Sequence, residues 1–167
     1  MLVLAAMAAI AGPRCPIEHA VYQQRGSEIV AHFQSVDAGR EWPSGLAFKM
    51  SFSAPLADQW WLVWEGGTAG GHNLASTGAV SAADWRPPGP DSSADRPRGN
   101  LVLIVAEADY RIRREAIVRG ASAPAHLLIP DLREATWYRV APDQRVSESG
   151  QFFDLISCDR ERIPKER

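Results

Sequence analysis

Leu46-Ala47-Phe48-Lys49-Met50-Ser51-Phe52-Ser53 decides the fold class. Leu46, Phe48, Met50 and Phe52 alternate with Ala47, Lys49, Ser51 and Ser53. A period of two is the mark of a strand with one dry and one wet face, so the first four side chains are expected in a core. Ala54 to Asp58 reads as a connecting turn. Gln59-Trp60-Trp61-Leu62-Val63-Trp64-Glu65 then runs back and completes a hairpin. Alternation puts Trp60, Leu62 and Trp64 on one face and Trp61 and Val63 on the other. Both faces are apolar, which fits a central strand or a strand with one face beneath a loop or a ligand.

Gly66-Gly67-Thr68-Ala69-Gly70-Gly71 follows. It lacks the terminal Lys-Ser/Thr of a phosphate-binding loop and the G-x-G-x-x-G spacing, so it reads as a hairpin loop. His72 to Val80 is a further candidate strand. The stretch from 81 to 100 holds four prolines and two glycines, which forbids regular structure and makes it a long loop inserted within one domain.

Toward the N-terminus, Ala20–Gln24 and Ser27–Val36 flank Arg25-Gly26 and read as another hairpin, with Ile29, Ala31 and Phe33 on one face. Toward the C-terminus, Leu101–Ala106 is apolar on both faces and reads as a fully buried strand continuing into Tyr110 and Ile112. Residues 113 to 120 suit a helical turn or a further strand. His126–Ile129 and Thr136–Val140 read as short strands, with a single helical turn at Asp131–Ala135 between them. Gln151–Cys158 closes the series, and 159 to 167 is a charged tail. About eight short strands with turn signals between them, and no long helical period, predict an all-β antiparallel sandwich or barrel with little helix. A chain of 167 residues is one domain's length.

Residues 1 to 11, MLVLAAMAAIA, suit the apolar part of a secretory signal, with Ala9-Ile10-Ala11 as the cleavage pattern, although a basic n-region is missing. They are too short to span a membrane, and export to the periplasm or the extracellular space is the expectation. The mature domain then covers 12–158. Its two cysteines, Cys15 and Cys158, lie near the two ends, and in an oxidising compartment they are expected to form a disulfide.

The 18 basic and 20 acidic residues are mixed along the chain, so no basic stripe implies nucleic acid. The four histidines, His19, His32, His72 and His126, have no ligand-pair spacing, and neither a metal nor a cofactor is implied. No G-x-S-x-G occurs. Asp154 stands inside the apolar run Phe152-Phe153-Asp154-Leu155-Ile156, where burial would raise its pKa unless a partner is present. Paired with His32 or His72 it would make a small exported hydrolase. The aromatic residues give the leading expectation. Trp60, Trp61, Trp64 and Trp85, with His72 and Asn73, have the make-up of a pocket with apolar walls and a few polar groups. The expectation is therefore an exported, non-catalytic β-domain that binds a small ligand, glycan or protein through its aromatic strand. A structural or inhibitory envelope protein is the third reading.

Overall fold

The computed structural model describes residues 15–66, 71–89 and 95–159. The candidate signal, the centre of the glycine loop and the tail from 160 onward lie outside them. The described chain forms eight antiparallel strands: β1 (Ala20–Gln24), β2 (Val30–Ser35), β3 (Leu46–Ser51), β4 (Gln59–Gly66), β5 (Gly71–Thr77), β6 (Asn100–Ala106), β7 (His126–Leu128) and β8 (Phe153–Cys158). Each strand pairs with its neighbour in sequence, and β8 returns to β1, closing a barrel. Closure satisfies the edges that an open sheet would leave exposed.

The alternating segment behaves as its pattern dictates. Leu46, Phe48 and Met50 are fully buried in the barrel interior, and Phe52 packs partly against them. Ala31, Phe33, Trp61, Val63, Leu74, Leu101, Leu103, Val105, Leu127 and Phe153 join the same core. Phe33 is opposite Phe48, and Phe48 opposite Trp61, across successive ladders. Together with Tyr22 they form an aromatic belt, with ring centroids 6.0, 4.9 and 6.4 Å apart from β1 to β4. Eight strands enclose a space that side chains can fill, and here they fill it. Burial pushes the Tyr22 phenol well up from its ordinary value, and its hydroxyl donates to the Pro124 carbonyl at 3.0 Å.

Both ends of the barrel are stoppered. Ile17, on a single 3-10 turn (Ile17–His19), and Ile117 close the end where β1, β3 and β5 begin. Ile129, Leu132 and Ala135 close the other. Cys15 and Cys158 are bridged, with Cα atoms 5.8 Å apart, and Ala20 pairs with Cys158 at the β1–β8 seam.

Four local expectations are corrected. Val102 is 45% exposed, so β6 is buried on one face only. The strand stops at Ala106, where a turn at Glu107–Tyr110 folds the chain back and Ile112 bridges to Ala106. Residues 113 to 120 are neither helix nor strand. Glu134–Tyr138 is a π-helical turn, so no strand forms at Thr136–Val140. The β-favouring Thr-Trp-Tyr is overridden because Ala135 and Thr136 turn inward over the barrel end.

Candidate functional site

The outer face of β4 carries a second apolar layer. Trp60 and Leu62 pack there with Ala47 and Ala75, and the loop residues Ala38 and Trp42 lie over them, with Val36, Trp64, Val80 and Trp85 at the margin. The cover is pinned by indole hydrogen bonds. Trp42 Nε1 donates to the Pro88 carbonyl at 3.2 Å, and Trp85 Nε1 donates to Thr77 Oγ1 at 2.9 Å. The described part of the proline-rich segment thus lies on the barrel wall, and Arg96 stands 5.8 Å from the Trp42 ring centre.

The cover leaves an opening at each end of the aromatic strand. A cleft of about 460 Å³ lies beside Trp64, walled by Trp64, Pro43, Ala116, Ile117 and Val118 and rimmed by Arg40, Glu41 and Glu65. Trp64 is half-buried, and its ring lies over Gly66. A Cβ at position 66 would come 2.2 Å from Trp64 Cζ3, so this glycine provides the seat for the indole. At the opposite end a cavity of about 300 Å³ touches Trp60, Leu56, Thr77 and Arg98. Trp60 is only 9% exposed, with the Lys49 ammonium 5.4 Å from its ring centre.

The six residues singled out by sequence do not form one pocket. Trp61 is wholly inside the barrel and has no route to a surface ligand. Trp60 and Trp64 face outward but open into different cavities. His72 lies on the inward face of β5, opposite Glu65, and is 3% exposed. Its Nδ1 is 3.9 Å from Glu65 Oε1, and neither ring nitrogen has a hydrogen-bond partner among the described residues. Asn73 donates to the carbonyls of Gly66 and Gly71, which makes it a fastener of the hairpin. Trp85 belongs to the cover. Glu65, which sequence reading did not assign to this site, joins it through its carboxylate, which accepts the Ile117 N–H at 3.2 Å.

A polar cluster stands on the outer wall at β1, β7 and β8. Asp154 is opposite His126 in the ladder, and its Oδ1 lies 2.6 Å from His126 Nδ1. Arg25 grips the same carboxylate through Nε at 2.5 Å and Nη2 at 2.8 Å, and Nη2 also reaches the Tyr110 hydroxyl at 2.5 Å. The Tyr110 ring stacks flat on His126, with centroids 4.3 Å apart. Tyr110 adopts φ of 63°, the only positive φ among the described non-glycine residues. The hydrogen bonds from Arg25 hold the Asp154 carboxyl below the usual carboxylate range, with His126 adding to them against partial desolvation. The histidine beside Asp154 is therefore His126, and neither His32 nor His72. His126 and Asp154 are 28 positions apart, and only the strand register brings them together.

Among the described residues no group of three or more His, Cys, Asp or Glu side chains is placed to hold a metal ion. No helix among them is long and apolar enough to cross a membrane. The residues so arranged define a closed, filled, up-and-down β-barrel with a loop-covered aromatic wall. No protein family, no curated protein and no solved structure matches this chain.

Proposed function

We propose that the protein is an exported, non-catalytic β-barrel domain that binds a small ligand or glycan unit on its outer wall, in the cleft beside Trp64. One observation carries this reading: Trp64 forms an aromatic wall of a cleft of about 460 Å³, while the neighbouring Trp61 is committed to the core. The cleft combines apolar walls with a few charged groups, the usual make-up of a small-molecule site, and its volume falls in the usual range. The filled interior directs the reading to the outside. The formed disulfide supports export, because such bonds persist in oxidising compartments.

The test is calorimetric titration with mono- and disaccharides and small aromatic compounds. A ligand of the wild type is expected to lose about tenfold or more in affinity in Trp64→Ala, the scale of one aromatic contact. Binding that survives both Trp64→Ala and Val118→Asp would sink the proposal.

A second reading, hydrolysis with His126 as a base oriented by Asp154, is favoured by their 2.6 Å contact. Against it, Arg25 grips the same carboxylate from the β1 side, which suits a fastener of the barrel seam. Turnover of activated esters that disappears in His126→Ala would favour this reading over the first.

A further inference from the structure

The cavity at the other end of the aromatic strand has a distinct chemistry and stands independently of the Trp64 cleft. It lies where β4 begins and β5 ends, and Leu56, Ala57, Trp60, Ala79 and Pro97 give it mostly apolar walls. Two lining side chains are charged, Asp58 and Arg98. Asp58 is already neutralised: Lys49 Nζ sits 2.5 Å from its Oδ2. Burial alone would raise the Asp58 carboxyl, but the Lys49 ammonium and the Ser51 hydroxyl together hold it below the usual range.

Arg98 is different. Its backbone N–H donates to Ser76 Oγ at 2.8 Å, and its Nη1 donates to the Arg139 carbonyl. The first contact holds the backbone and the second engages the side chain through a neutral acceptor, which leaves its charge uncancelled, and Arg98 makes no ion pair among the described residues. Arg139, which approaches it, has Glu134 3.7 Å away as a counter-charge. Among the described residues, the lining therefore carries one uncompensated positive charge. Thr77 and Gln144 supply further polar groups. The Thr77 oxygen accepts from Trp85 Nε1, which leaves the hydroxyl proton available to an acceptor.

We propose that this cavity is a binding site for a small organic acid. The guanidinium of Arg98 takes the carboxylate, a geometry for which arginine is suited. The single ring of the ligand lies against Leu56, Ala79, Pro97 and the accessible edge of Trp60. A volume of about 300 Å³ admits one ring with its acid group and excludes an extended chain. The ring is either aromatic or a sugar, and the test separates the two.

The full chain is titrated with benzoate, glucuronate and benzamide while the backbone amide signals of Gly78, Ala79 and Arg98 are followed by NMR. At least one of the two acids is expected to shift these signals saturably, with the preferred acid identifying the ring. Benzamide, the neutral isostere of benzoate, is expected to bind at least tenfold more weakly than benzoate where benzoate is the ligand. Arg98→Gln should weaken the acid at least tenfold, and Arg98→Lys should recover part of the loss. Ala79→Trp, at an exposed position with the charge intact, should abolish binding by filling the space. Saturable binding of benzamide as tight as that of benzoate, unchanged affinity of the bound acid in Arg98→Gln, or no response to either acid would overturn the assignment. A Trp64→Ala protein should bind the acid as the wild type does, so failure here is separable from failure of the Trp64 cleft.

Discussion

The β3–β5 wall and the β7–β8 seam of this barrel hold together by different means. β4 and β5 pair over seven positions, from Trp60–Thr77 to Gly66–Gly71. β7 is three residues long and meets β8 at only two positions. Where the backbone ladder is long, outward side chains are free to carry a second apolar layer and its clefts. Where it is short, outward side chains act as fasteners. Asp154 joins β8 to Arg25 just after β1 on one side and to His126 on β7 on the other, while from inside the barrel Tyr22 ties β1 to Pro124. The disulfide adds a covalent tie on the other side of β8, where it meets β1. The function proposed for the wall and the fastening role of the seam are thus two uses of the same outward positions.

This contrast can be broken or sharpened by substitution. The largest effect is expected from removing the disulfide. The bridge spans 143 positions, and the chain-entropy model gives about 5 kcal/mol for a loop that long. Cys15→Ser with Cys158→Ser should destabilise by about 2 to 5 kcal/mol in denaturant unfolding, with amide exchange accelerating first at β1 and β8. Phe48→Ala comes next. It opens a hole in the aromatic belt and should cost about 3 to 5 kcal/mol, whichever wall is probed.

Gly66→Ala should displace the Trp64 ring, because the added Cβ would stand 2.2 Å from it. Fluorescence and ligand affinity at the Trp64 cleft should change, while the unfolding midpoint moves little.

Asp154→Asn is expected to have the smallest effect on global stability, about 1 kcal/mol or less, since partly exposed ion pairs are weak. Its signature is in pH. The folded-state pKa of Asp154 is depressed, so its contribution is present above the unfolded value of about 3.9 and is lost as pH falls through the folded value. The difference between wild type and variant should be full near neutrality and close below about pH 4. A difference that grows as pH falls would refute the assignment.

Much of the wall was legible in the sequence. The alternation from Leu46 to Phe52 marks its inward side chains, and alternation also separates Trp61/Val63 from Trp60/Leu62/Trp64, because strand side chains alternate regardless of tertiary detail; which tryptophan set faces inward follows only from the register that puts Trp61 opposite Phe48. Closure of the sheet into a barrel depends on β1 meeting β8 across more than a hundred residues, and no local pattern encodes it. The division of the outer aromatic face into two openings was hidden for a related reason. It is set by where loop residues Trp42 and Trp85 dock. The seam cluster was half legible. Asp154 stands out in an apolar strand, but its partners Arg25 and His126 follow only from register. The Leu101–Ala106 run misled because apolar residues on an outer face are common on protein surfaces.

The central claim is that the aromatic strand is divided, with Trp61 committed to a filled interior and Trp64 left to bind on the outside. Its most direct test is the 19F spectrum of protein labelled with 5-fluorotryptophan, assigned by single Trp→Phe substitutions and titrated with a ligand found by calorimetry. The account predicts a saturable shift of the Trp64 resonance with the Trp61 resonance unmoved. A shift centred on Trp61, placing the ligand inside the barrel, or binding that moves neither resonance, would contradict it.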